Sequence, residues 1–112
     1  MVHDELPLTE STYLILLSLA TNARHGYAIM QDVEELSSGR VSLGTGTLYG
    51  ALKRMLDNEW IEEIDSITPS KRGRKRKDYR LTDKGRDILN SEVQRLTRLA
   101  QVGTLRLEGG QA

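Results

Sequence analysis

The sequence predicts a mainly α protein carrying one small β-hairpin (α+β). Apolar residues recur at helical spacing over three short segments and one longer C-terminal segment. After residue 59 the period drops to two over a pair of strand-length segments separated by turn-rich sequence. The apolar residues are mainly Leu, Ile, Val, Ala and Met, with no Phe and a single Trp60, a composition that suits packed helices better than a sheet sandwich. With 112 residues the chain is the size of one domain.

The first helix is expected to start at Thr9, whose hydroxyl can cap it, with Glu10 placed where the helix dipole favours negative charge. The run Tyr13 to Ala20 that follows is apolar nearly all round, so this helix is expected to be buried, and Thr21 to His25 is the break. Gly26-Tyr27 opens a second helix running to about Ser37, with Tyr27, Met30, Val33 and Leu36 as its apolar stripe and Ser37-Ser38-Gly39 as its end. Val41 to Leu43 reads as a short extended piece. A third helix is expected from Thr47 to about Asn58, with Leu48, Leu52, Met55 and Leu56 on its core face and Tyr49, Lys53, Arg54 and Asp57 facing out. Trp60 to Ile64 and Asp78 to Thr82 read as two strands of a hairpin with a long basic tip. Three short helices followed directly by a hairpin are the layout of a winged helix-turn-helix.

Thr82 caps a last helix in which Leu89, Val93, Leu96, Ala100 and Gly103 are spaced four, three, four and three apart, a heptad-like seam with Leu99 beside it. The expected organisation is therefore a winged helix-turn-helix over residues 1–82, a C-terminal dimerisation helix over 83–107 and a disordered tail over 108–112. The seam outruns what so small a core can cover, which favours burial of Leu89, Val93, Leu96, Leu99 and Ala100 against a second subunit. The alternative is packing on the first helix of the same chain.

Charge distribution points to the chemistry. The formal net charge is zero, yet Lys71, Arg72, Arg74, Lys75, Arg76 and Lys77 place six cations around Gly73, whereas Arg24 is the only Lys or Arg before Arg40 and faces six carboxylates. A local field of that kind governs binding more than the sum does, and neutralised phosphates release condensed counterions. At the third helix, Thr45 and Thr47 flank Gly46 where free N–H groups form a phosphate seat, and Tyr49, Lys53 and Arg54 are expected to project from the same exposed side towards phosphates or base edges. A basic run alone is as compatible with a solvated loop, and such a helix alone with an ordinary wet face. Their combination favours double-stranded DNA.

The absence of Cys excludes disulfides, thiolate metal sites and a Cys nucleophile, and fits a reducing cytoplasm. The longest apolar run is too short to span a bilayer. No phosphate-binding loop, dinucleotide fingerprint, zinc pattern or catalytic constellation is present, so no enzyme activity, cofactor or metal is expected. His25 reads as a helix cap or phosphate contact.

The segments HGYAIMQDVEELSSG, VSLGTGTLYGALKRMLDNEWIEE and RKRKDYRLTDKGRDIL resemble the PadR family of bacterial transcriptional regulators over roughly Leu8 to Leu89, most specifically in Gly46-Thr47-Leu48-Tyr49. The resemblance implies homodimerisation through the C-terminal helix, repression of a nearby operon, Thr47, Tyr49 and Lys53 at the major groove and the Lys71 to Lys77 wing on the backbone. The single last helix is similar to that of the short subfamily. Two departures are visible: Glu59-Trp60 stands where the family commonly has Gly and a Leu-like residue, and no aromatic residue follows Tyr79, which argues against a stacking drug pocket. The resulting expectation is a homodimeric operator-binding repressor released by a small-molecule effector that changes the angle between the two heads. The alternative is a winged-helix adaptor whose basic wing meets an acidic protein, and a small-molecule sensor with weak DNA affinity is a third reading.

Overall fold

A computed structural model describes residues 5–66 and 76–109. The elements are α1 (Glu10–Ser18), α2 (Gly26–Leu36), α3 (Thr45–Asp57), β1 (Ile61–Asp65), β2 (Lys77–Leu81) and α4 (Asp83–Gly109). The two strands pair antiparallel in a two-stranded sheet with Ile61 opposite Leu81 and Asp65 opposite Lys77. Three helices, a hairpin and a long last helix are the predicted winged helix-turn-helix architecture.

The core collects one face of every element. Leu14, Ile15, Leu16 and Leu19 enter from α1 and its end, Ile29 and Val33 from α2, Leu48, Ala51, Leu52 and Met55 from α3, Trp60, Ile61, Tyr79 and Leu81 from the hairpin, and Ile88 and Leu89 from α4. The starts of α1, α2 and α4 each carry a side-chain cap. Thr9 accepts from the Thr12 N–H at 3.2 Å, His25 Nδ1 accepts from the Ala28 N–H at 3.2 Å, and Thr82 Oγ1 accepts from the Gly85 N–H at 3.0 Å. These are the expected caps at α1 and α4, and His25 proves to be one too.

Several boundaries differ from expectation. In α2 the buried positions are Gly26, Ile29 and Val33, whereas Tyr27 and Leu36 are exposed. Val33 is common to the predicted stripe and Met30 packs at the edge of the core, so the true face is rotated only slightly, by about 40° at roughly 100° per residue. Helix α3 starts two residues early because its N-cap is Gly44, which offers no side-chain acceptor and so leaves a weak sequence signal. Leu56 is only half-buried, and Ala51 takes its place in the core. Val41 to Leu43, read as a short extended piece, carries no sheet pairing. The extended pairing falls instead on Arg24, which bridges Tyr79 through Arg24 N–H to Tyr79 O at 3.0 Å and Tyr79 N–H to Arg24 O at 2.8 Å.

The turn from α3 into β1 is governed by Glu59, which adopts a left-handed conformation with φ 62°. The Trp60 N–H then reaches back to the Met55 carbonyl at 2.9 Å and the Glu59 N–H to Leu56 at 3.0 Å, closing the helix as glycine usually does. Glu59 thus makes a turn for which glycine is the usual residue, at the cost of a side chain in an αL conformation. Trp60 is buried in the core and lines a hollow with Ala51 and Met55 of α3, its indole N–H buried and without an acceptor among the described residues.

Helix α4 leaves the core part-way along its length. Gly85, Ile88, Leu89 and Glu92 are buried; beyond Val93, which is half-buried, Leu96, Leu99 and Ala100 are exposed. Leu89 therefore belongs to this chain's own core. Glu108 and Gly109, expected in the tail, are helical, while residues 110–112 lie outside the described residues. No helix among the described residues is long and apolar enough to cross a membrane.

Candidate nucleic-acid interface

The first turn of α3 has its backbone N–H groups at Thr45, Gly46 and Thr47 without a partner among the described residues, because the helix ladder begins with Leu48 N–H to Gly44 O at 2.9 Å. Thr45, Gly46 and Thr47 are all exposed, so three donors and two hydroxyls sit at the positive end of the helix dipole. One turn on, Tyr49 leans over the start of α2. A Cβ built on Gly26 would lie 2.9 Å from Tyr49 Cζ and 3.3 Å from Cε1, with the phenolic oxygen closer still. Gly26 is what lets the Tyr49 ring rest there.

This contact joins α3 to two further elements. An open cleft of about 590 Å³ is lined by His25, Gly26 and Tyr27 at the start of α2, by Tyr49, and by Arg76, Lys77 and Tyr79 at the stem of the hairpin. Tyr49 is 46% and Tyr27 62% exposed. Tyr79 forms the floor; its burial, and then Glu63 across the strand pair, push its phenol above the usual range. The cleft thus presents aromatic edges, two basic side chains and a helix N-terminus on one side of the molecule, groups that suit a phosphate backbone.

The cations differ in how free they are. Lys77 donates to Asp65 Oδ1 at 2.7 Å directly across the hairpin, a bond that raises its pKa further. Arg80 pairs with Glu62 at 3.2 Å in the same manner. Arg76 has no ion pair among the described residues, and its carbonyl accepts from the Ser66 N–H at 3.0 Å. Lys71, Arg72, Arg74 and Lys75 lie outside the described residues.

On α3 the predicted residues split between two flanks. Lys53 projects outward, 77% exposed at its side chain, with Asp57 3.6 Å away. Arg54, five residues after Tyr49 and so about 140° round the helix, lines a separate hollow of about 200 Å³ together with Leu8, Thr9, Thr12 and Trp60. The expectation that Tyr49, Lys53 and Arg54 share one side is therefore corrected. The sequence does not reveal the start of α2 as a wall of the cleft: His25 reads there as a cap or phosphate contact, and the Gly26–Tyr49 approach is tertiary and has no local signature.

Three helices, a hairpin and a basic cleft between the start of α2, Tyr49 of α3 and the hairpin stem define a winged helix-turn-helix protein of the DNA-binding kind. Residues 15–91 match the model of the Transcriptional regulator PadR-like family, and the chain belongs to that family of transcriptional regulators. It is similar in structure to a PadR family transcription regulator from Clostridium difficile R20291, with 30% identity, 88% of this chain and 99% of that chain covered, and a TM-score of 0.71. A PadR-like regulator from Bacillus cereus matches with 26% identity, 89% and 92% coverage and a TM-score of 0.70. Bacillus subtilis PadR, solved in complex with operator DNA, matches at 28% identity over 73% of this chain and 46% of that one, with a TM-score of 0.62. Among curated relatives, a transposon protein from Streptomyces fradiae is 35% identical over 91 residues, and the chain spans 24% of its length.

Proposed function

We propose that this transcriptional regulator is a homodimeric repressor that reads an operator in double-stranded DNA. The head formed by residues up to 82 docks α3 in the major groove, with Thr45, Thr47, Tyr49 and Lys53 at the groove and Arg54 towards the flanking backbone. Arg76 and Lys77, continued by Lys71, Arg72, Arg74 and Lys75, follow the phosphates. The observation that carries this reading is the convergence of the α2 start, Tyr49 and the hairpin stem on one open basic cleft. The operator complex of Bacillus subtilis PadR supports it. Leu96, Leu99 and Ala100, exposed on one side of α4, are the groups that a second copy covers, with Val93 at the edge of the seam. Such a dimer presents two recognition helices to half-sites about one DNA turn apart. A small-molecule effector releases the operator by changing the angle between the heads.

The test is binding of the purified chain to its own promoter fragment and to a scrambled duplex across a salt series. Replacing Arg76 and Lys77 by Gln is expected to weaken both and to flatten the slope of log affinity against log salt by up to about 0.9 per lost phosphate contact. An unchanged slope would mean that the hairpin stem does not touch DNA.

A further inference from the structure

Among the described residues, Glu92 is the one buried charged side chain, 1% exposed. Burying a carboxylate is costly unless it is paired and hydrogen-bonded. Here both oxygens are engaged: Arg95 Nε donates to Oε1 at 2.5 Å and Arg95 Nη2 to Oε2 at 3.0 Å, while the Leu8 N–H donates to Oε2 at 2.8 Å. The last of these joins residues 84 positions apart in the chain. Arg95 is the first cause of a carboxyl pKa held below its usual value, and the Leu8 bond acts in the same direction.

The position matters more than the pairing alone. Glu92 is the last buried residue of α4, and Leu96 and Leu99 follow it at i+4 and i+7 on the same helix face. It therefore sits where α4 stops packing on its own head and starts to offer apolar surface to another copy. Its other partner, Leu8, immediately precedes Thr9, the N-cap of α1. Leu8, Thr9 and Thr12 also face Ala51, Arg54 and Met55 of α3 across the small hollow. A single carboxylate thus grips α4 and the segment that leads into α1 and borders the recognition helix. A directional buried ion pair is poor at adding net stability but able to fix register. An apolar residue at 92 would leave the rotation of α4 about its axis less determined.

We infer that Glu92 is a positioning residue for operator recognition: by tying the dimer helix to the Leu8 backbone it sets the angle between head and α4, and with it the separation of the two recognition helices. This rests on the dimer proposed above. A small angular change at Glu92 becomes a translation of α3 relative to its symmetry mate, which half-sites spaced by one DNA turn do not tolerate.

The chain contains no Cys, so an Asp57→Cys substitution in the full protein gives one spin label per protomer at the exposed end of α3. Pulsed electron-paramagnetic-resonance distances between the two labels report the separation directly, and Tm is recorded alongside. The native background is expected to give one narrow distribution. Glu92→Gln, which keeps the shape but loses the charge, is expected to broaden and shift it by several ångströms. Arg95→Lys keeps a cation but loses the two-point grip; it is expected to do the same to a lesser degree and remains informative if Glu92→Gln fails to fold. Lower Tm with an unmoved distribution would overturn the inference and leave Glu92 a residue of the fold alone. A native protein showing no inter-label distance would overturn the dimer reading and this inference with it.

Discussion

Gly85 lies in the first turn of α4, against the entry to β1, and its replacement by Ala separates two effects of opposite sign. Helix propensity alone favours Ala by about 1 kcal/mol, and Gly85 has no positive φ that would penalise a side chain. Packing opposes it. A Cβ at this position would fall 2.8 Å from the Trp60 carbonyl carbon and 3.1 Å from Trp60 Cα, with the carbonyl oxygen nearer still. These are backbone atoms held from several sides: Trp60 O accepts from the Thr82 N–H at 3.0 Å, and the Trp60 N–H is bonded to Met55. Relief requires α4 to move away from β1, breaking the Thr82 bond and loosening Leu81, Ile88 and Leu89. Overpacking of this kind costs about 3 kcal/mol where the neighbour is rigid, so the net loss is about 2 kcal/mol after the propensity gain. For a domain of this size that is a fall in Tm of roughly 8 °C. Thermal unfolding followed by circular dichroism, with both proteins at the same concentration because a dimer links Tm to concentration, measures it. A Tm equal to or above that of the native protein would refute the argument that Gly85 is present for the close approach of α4 to Trp60.

Three further substitutions test separate parts of the account. Gly26→Ala meets only the far end of the Tyr49 side chain, so thermal unfolding should change by less than about 1 kcal/mol, whereas promoter affinity in an anisotropy titration should fall because Tyr49 is pushed from the cleft; unchanged affinity would remove Tyr49 from the interface. Glu59→Gly relieves the φ of 62° and should raise stability by up to about 1 kcal/mol in urea unfolding, with a loss counting against the αL assignment. Leu99→Glu, at a site 44% exposed in the single chain, should leave the far-ultraviolet spectrum intact and shift light-scattering mass from dimer towards monomer. A dimer of undiminished stability would exclude that face from the contact.

What could be read from the sequence follows the physics of each element. Apolar periodicity reveals α3 and α4, an apolar run after a capping Thr reveals α1, and Thr9 and Thr82 mark two starts because a hydroxyl cap is a local device. The start of α3 was displaced because Gly44 caps without a side chain. The stripe on α2 was misplaced because Tyr27 looks apolar in sequence, whereas its ring is a rim of the cleft. Both strands are legible, but β1 begins one residue later than expected because Glu59 in an αL conformation prolongs the turn and carries Trp60 with it. Strand β2 lies one residue earlier because Lys77 pairs with Asp65 and Thr82 is taken up as the cap of α4. The basic wing was legible from composition, but the cross-strand pairing of Lys77 with Asp65 required the register. Glu92 escaped notice because a Glu three residues before an Arg on a helix normally marks a wet face. The available signal was its spacing, four before Leu96 and seven before Leu99, which puts it on the same helix face as those two leucines.

The central claim is that the cleft between the start of α2, Tyr49 and the hairpin stem, together with the exposed first turn of α3, binds operator DNA. Its most direct test is the salt dependence of affinity for the chain's own promoter fragment against a scrambled duplex. The account predicts tighter binding to the promoter and a steep fall of both affinities with salt, as counterion release requires. Negligible binding to either duplex at low salt would contradict it and bring forward a partnership with an acidic protein.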